Sequence, residues 1–136
     1  MKRYNRSQLR EKIMFILYQV NISQKHQIPF QLEELIANNI EIENEFVKDV
    51  CFGIYTHQKE IDKLANKYLK DWTISRLGYP DQAILRMGVY EIIYTETPNV
   101  VAINEAIELA KKYSDDEVRK MINGVLDKIY HEESSK

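Results

Sequence analysis

The chain has few of the residues that staple or punctuate a fold. Cys51 is the one cysteine in 136 residues, so an intramolecular disulfide is excluded, and a lone thiol fits a reducing compartment. Glycine occurs at positions 53, 78, 88 and 124, too scattered for a phosphate-cradling loop or a dinucleotide fingerprint. The longest apolar run, Ile13 to Tyr18, is far too short to span a bilayer. The basic first residues are not followed by a signal-type apolar segment, so the expected location is the cytoplasm with no membrane contact. Net charge is only −2, which argues against a protein that coats nucleic acid wholesale. No period-2 run marks a strand, and no internal repeat occurs.

What is present is helical spacing. Leu9, Ile13, Ile16, Leu17 and Val20 form a first amphipathic stripe, with Asn5 or Ser7 as its cap. Phe30, Leu32, Leu35 and Ile36 predict a short second helix that frays at Asn38-Asn39. Phe46 through Tyr68 keep register over a long third helix. Trp72, Ile74 and Leu77 mark a short turn closed by Gly78. Pro80 suits the opening of a helix, where its missing N–H is no loss. Ala83 to Tyr94 is apolar almost all round, interrupted mainly by Arg86 and Glu91, and reads as the buried central helix. Thr97-Pro98 breaks it.

Two further helices follow. Ile103, Ala106, Ile107 and Ala110 give one stripe; Val118, Met121, Ile122, Val125, Leu126 and Ile129 give the other. Ser114 and Glu117 spell a capping box between them. Gly124 stands mid-helix at a cost of about 1 kcal/mol against alanine, which predicts a close neighbour there. Residues 131–136 read as a polar tail. The expectation is an all-α fold: one domain, 1–136, of about seven helical segments in two packed subbundles, with a basic first helix over 1–24.

Charge is uneven. Lys2, Arg3, Arg6, Arg10 and Lys12 stand against Glu11 at the N-terminus, and Arg3, Arg6 and Arg10 share a helix face that Tyr18 roughly continues. Glu33, Glu34, Glu41, Glu43 and Glu45 form a stretch with no base. A basic end on an acidic body fits one local anionic partner; solvated arginines are the alternative.

Catalytic signatures are wanting. None of the three histidines has a glutamate three residues before it, so the di-metal carboxylate pattern is missing. Cys51 and His57 are poorly spaced for a metal pair, and His57 reads as a core histidine. Glu105 and Glu108 read as a solvated edge paired with Lys111 and Lys112 rather than an acid–base pair. No enzyme, metal or cofactor is expected.

Three segments carry a resemblance. R-S-Q-L-R-E-K-I-M-F-I-L-Y at the start, Q-A-I-L-R-M-G-V-Y-E-I in the middle, and V-A-I-N-E-A-I-E-L-A-K followed by K-M-I-N-G-V-L-D at the end resemble the NusB family of bacterial transcription antitermination factors. The resemblance implies an all-α, non-catalytic RNA-binding protein. It implies binding to boxA, a single-stranded element of ribosomal RNA leader transcripts. It further implies pairing with the ribosomal protein NusE in an antitermination complex on RNA polymerase; a homodimer stays open.

On that reading Lys2, Arg3, Arg6 and Arg10 neutralise phosphates, and Tyr18 and Tyr68 stack on bases. Glu117 and Asn123 supply polar contacts, and Met121 packs against a base. Two departures point to weaker RNA binding or to heavier reliance on the protein partner: Asn5, Ser7 and Gln8 interrupt the arginines, and Met121 stands where many members have phenylalanine. The competing reading is a helical protein-interaction module, docking a partner at Trp72, Ile74, Leu77 and Asp81 without direct RNA binding.

Overall fold

A computed structural model describes residues 3–136, so Lys2 lies outside the described residues. Among the described residues there are six α-helices and one short 3-10 turn, and no strand. They are α1 Arg6–Lys25, α2 Leu32–Asn39, α3 Glu45–Tyr68, the 3-10 turn Ile74–Arg76, α4 Tyr79–Tyr94, α5 Asn99–Tyr113 and α6 Asp116–Glu133. α1, α2 and α3 pack as one subbundle and α4, α5 and α6 as the other; α4 touches α1, α3, α5 and α6 and is the shared axis.

Local chemistry sets the ends. Asn5 caps α1: its Oδ1 accepts from the Gln8 N–H at 2.8 Å while the Gln8 side chain accepts from the Asn5 N–H at 2.9 Å. α1 closes in a Schellman turn, with the Ile28 N–H donating to the Ser23 carbonyl at 2.8 Å. The left-handed position is taken by Gln27, φ 55°, in a chain that spends no glycine there. Asn44 caps α3 through the Val47 N–H at 3.1 Å.

The predicted third helix is not straight. His57, with φ −103° and ψ 16°, breaks its regularity. His57 is also half-buried rather than in the core, and its ring stacks on Tyr94 at 4.4 Å. The kink turns it from the apolar stripe toward α4.

The expected Ser114 capping box does not form. Ser114 is where α5 ends, its N–H donating to the Ala110 carbonyl at 2.8 Å, and its hydroxyl is drawn to Asp81. The start of α6 moves on by one residue, and Asp115 caps it by accepting from the Val118 N–H at 2.8 Å. Gly124 has open space, with nothing within 4 Å of where a Cβ would stand. The close approaches fall instead at Gly88, where a Cβ would meet Leu126 Cδ1 at 2.7 Å, and at Gly53, which lies against the Tyr90 ring. The polar tail is largely structured: α6 runs to Glu133, and Lys136 Nζ donates to the Glu91 carbonyl at 3.0 Å at the end of α4.

Both polar interruptions of α4 are buried and paired across helices. Arg10 of α1 is 4% exposed, and its guanidinium donates to both oxygens of Glu91, at 2.8 and 2.9 Å. Arg86 donates to both oxygens of Asp62 on α3, at 2.8 and 2.9 Å, and to Asn21 of α1 at 3.1 Å. Asn21 in turn donates to Gln82 at 2.9 Å. Bidentate geometry with further hydrogen bonds is what a buried charge requires. Around these pairs sit wholly buried aliphatic residues, among them Ile13, Ile54, Ile84, Leu85, Ile122 and Leu126.

Glu91→Gln removes the bidentate partner of the Arg10 guanidinium and leaves it only the Glu105 carboxylate, 3.6 Å away, so it is expected to cost up to about 3–5 kcal/mol in urea unfolding. The double change Arg10→Met with Glu91→Leu should cost less than the sum of the two single changes. A loss below about 1 kcal/mol for Glu91→Gln would show the pair to be dispensable. Gly124→Ala should raise stability by up to about 1 kcal/mol, since helix propensity is gained in open space. Gly88→Ala should lower it by about 1–3 kcal/mol, because buried Leu126 must shift. Thermal melts of the two variants are expected to move in opposite directions.

Candidate nucleic-acid interface

Basic residues of α1 divide between two faces. Arg6 is exposed and its guanidinium lies 4.0 Å over the Phe46 ring at the start of α3. Arg10, one turn on, is buried on Glu91 and faces no solvent phosphate; it is a structural cation, not a free one. Arg3 is exposed. Tyr18 does not continue this row. Eight residues from Arg10 advance the helix by roughly 80° beyond two full turns, so Tyr18 points away. It packs edge-on against Tyr79, ring centroids 5.7 Å apart.

Tyr18 belongs to another stripe of α1, through Gln8, Glu11 and Phe15, spaced three and four apart. This stripe meets α5. Glu11 Oε2 accepts from Lys112 Nζ at 2.8 Å and from the Tyr113 hydroxyl at 2.6 Å. These two donors, lysine first, hold the Glu11 carboxyl below the usual carboxylate range. Phe15, partly exposed, meets Tyr113 edge-on at 5.6 Å. Glu108 pairs with Lys111 at 3.0 Å as expected, but Glu105 turns inward to accept from Ser7 at 2.7 Å.

Beyond Tyr79 the surface opens into a groove of about 370 Å³ between the 3-10 turn and α6. It joins residues expected on separate surfaces: Trp72, Leu77 and Asp81 with Glu117 and Met121. Trp72 is 48% exposed, and the Arg76 guanidinium lies 5.5 Å from its ring centre. Ile74, expected to meet a partner, is a core residue at 1% exposure, because the 3-10 turn tucks it under α3 with its N–H on Asn66 at 2.8 Å. Leu77 is also buried, leaving only an edge at the groove. Burial raises the Asp81 carboxyl above its ordinary range, against the lowering effect of the Ser114 hydroxyl. Asn123 is exposed on α6.

Tyr68 stands elsewhere, at the end of α3. Its hydroxyl donates to Glu133 at 2.5 Å, and Lys67 Nζ reaches the same carboxylate at 2.7 Å. That bond to Glu133 raises the phenol above its ordinary range. Tyr68 is thus tethered to α6 and half-buried, apart from the Tyr18 cluster.

Sequence spacing missed Phe15, Tyr79, Lys25, Lys112 and Tyr113. Lys25 Nζ lies 5.6 Å from the Tyr79 ring centre. The i, i+4, i+7 series Glu11, Phe15, Tyr18 was a usable signal for the first of them; pairing with α5 was not legible locally. Cys51 offers no nucleophile, since burial pushes its thiol up to about 12.

Comparison with known proteins places this geometry. A sequence model of the NusB family matches residues 7–131. The chain is 41% identical over 128 residues to transcription antitermination protein NusB of Pediococcus pentosaceus, covering 92% of this chain and 96% of that one. It is 46% identical over 92 residues to the same-named protein of Staphylococcus aureus strain JH9, covering 68% and 71% of the two chains. Among solved structures it resembles T. maritima NusB, with a TM-score of 0.84 and 29% identity over 98% of this chain and 95% of that one. It also resembles a chain from the crystal structure of antitermination factors NusB and NusE in complex with dsRNA, with a TM-score of 0.79 and 29% identity over 93% and 96% of the two chains. Three sequence motifs, a shared helical axis and relatives matched over nearly the whole length agree: this chain belongs to the NusB family.

Proposed function

We propose that residues 1–136 act as one non-catalytic RNA-binding domain, a cytoplasmic transcription antitermination factor. It binds boxA-type RNA of ribosomal RNA leader transcripts together with the ribosomal protein NusE, within an antitermination complex on RNA polymerase. The observation that carries this reading is the likeness, over 93% of the chain, to a NusB that was solved with NusE and dsRNA. Among the described residues no helix is long and apolar enough to cross a membrane.

The RNA path we favour runs along the α1–α5 face. Exposed Arg3 and Arg6 attract phosphates at its start, with Lys111 and Lys112 along it. Phe15, Tyr18 and Tyr79 offer stacking faces, and the groove at Met121 and Glu117 takes a splayed base. Arg6 and Tyr18 are roughly 18 Å apart along α1 and about 120° apart around it, so a strand of a few nucleotides that meets both wraps across the head of α1 from its α3 side to its α5 side. Lys2 and Asn123 remain candidate flanking contacts. The wholly protein-docking alternative is weakened because Ile74 and Leu77 are buried, although exposed Trp72 remains available to NusE.

Arg3→Ala with Arg6→Ala should weaken binding of a boxA single strand in the presence of NusE and flatten the salt dependence by about 0.7 for each phosphate no longer neutralised. Tyr18→Ala should cost about 1–3 kcal/mol of affinity. Arg10→Ala should instead lower the melting temperature through Glu91. Unchanged affinity and salt slope in the Arg3/Arg6 double variant, with the fold intact, would overturn the proposed path.

Glu11 gives a pH test. Its folded-state carboxyl is lowered from 4.5, so its contribution is present above that value and is lost as pH falls through the folded one. Glu11→Gln should destabilise at pH 7 and become neutral at the acid end of a melting series, while releasing Lys112 should strengthen RNA binding. Equal destabilisation at both ends would mean that packing, not charge, is what Glu11 supplies.

A further inference from the structure

A second concave surface lies between α2 and the first half of α3, and it shares no lining residue with the Met121 groove. Its volume is about 410 Å³, within the range of ligand clefts of roughly 300–1,000 Å³. The floor is apolar, made by Ile36, Ala37, Ile40 and Phe52. The rim is anionic, made by Glu33, Glu41 and Glu43. These come from the stretch 33–45, which holds five glutamates and no base. Among the described residues Lys48 is the one cation lining the groove, and it is paired with Glu43 at 3.1 Å. Among the described residues Glu33 and Glu41 have no ion-pair partner. Ile42, between two of the rim acids, is left 42% exposed.

Ile36, Ile40 and Phe52 also pack on the core, but the exposed apolar edge and the acidic rim are not accounted for by the fold or by RNA. Like charge repels phosphate, and unpaired carboxylates around an apolar floor add nothing to the core. What fits is the inverse pattern: an apolar ridge to fill the floor and cations on each side to meet the glutamates. We propose that this groove docks an amphipathic, lysine- or arginine-flanked helical segment of a protein partner. The contact is small and rim-charged, which makes it fast, salt-sensitive and weak.

The full-length protein, labelled with nitrogen-15, is titrated with a synthetic helical peptide bearing leucines at i, i+4 and i+7 and lysines on both flanks. A scrambled peptide of the same composition and a peptide with glutamate for each lysine serve as controls. Amide shifts confined to residues 33–52 are expected for the first peptide only, with affinity falling as salt rises. Ala37→Arg, at an exposed position on the floor, and Glu41→Lys should each weaken binding about tenfold without changing the melting temperature. Equal binding of the scrambled peptide, or no effect of Ala37→Arg, overturns the proposal. So do shifts of residues 33–52 on adding boxA RNA alone, on raising protein concentration alone, or on adding NusE. Those outcomes assign the groove to RNA, to a second copy or to the partner already proposed. The RNA-affinity series on Arg3 and Arg6 is read independently, so either idea can fail without the other.

Discussion

Two guanidinium–carboxylate pairs buried against α4 are the constraint on which the architecture depends. An apolar helix surrounded by others has many nearly equivalent ways to rotate and slide. Arg10–Glu91 fixes α1 against the end of α4, and Arg86–Asp62, with Asn21 and Gln82, fixes α1 and α3 against its beginning. A slip of one residue at either place would strand a charge in a low-dielectric interior, where Coulomb energy and desolvation are both large. The aliphatic core contributes most of the burial; these pairs select which burial occurs.

That selection has a functional side. By drawing Arg10 inward, the core removes one cation from the surface and leaves Arg3 and Arg6, among the described residues, as the exposed basic residues at the head of α1. It also rotates α1 so that Glu11, Phe15 and Tyr18 meet α5 and the start of α4. The face offered for RNA is therefore aromatic and lysine-edged, with arginines at one end. Its acids are each met by a donor: Glu11 by Lys112 and Tyr113, Glu108 by Lys111, and Glu105 by Ser7. A cluster of acids, Glu33, Glu41 and Glu43, lies around the α2–α3 groove, while the molecule's net charge stays near neutral.

Helical periodicity was enough to place every helix, the short 3-10 turn and the central position of α4, because apolar stripes at 3.6-residue spacing report burial directly. The Arg86 and Glu91 interruptions were visible as exceptions, but their partners, 24 and 81 residues away, were not. The Ser114 cap failed because a tertiary partner, Asp81, outcompeted a local one. Gly124 failed as a contact signal because a glycine on an exposed helix face carries no information about neighbours. Among site residues, exposure at Arg3, Arg6, Glu117 and Asn123 followed from the polar side of each stripe. Arg10, Ile74 and Leu77 did not, since a side chain at a stripe edge is assigned in or out by what packs opposite.

The bend in α3 has a stereochemical consequence. The half before His57 bears Lys48 and Phe52 of the acidic groove, and the half after it leads directly into Lys70 and Trp72 of the other. The second groove takes its other walls from α4 and α6, so the angle between two molecules seated in those grooves is set jointly by the His57 bend and by the packing of α3 on its neighbours, and is passed on to whatever larger assembly is built on them.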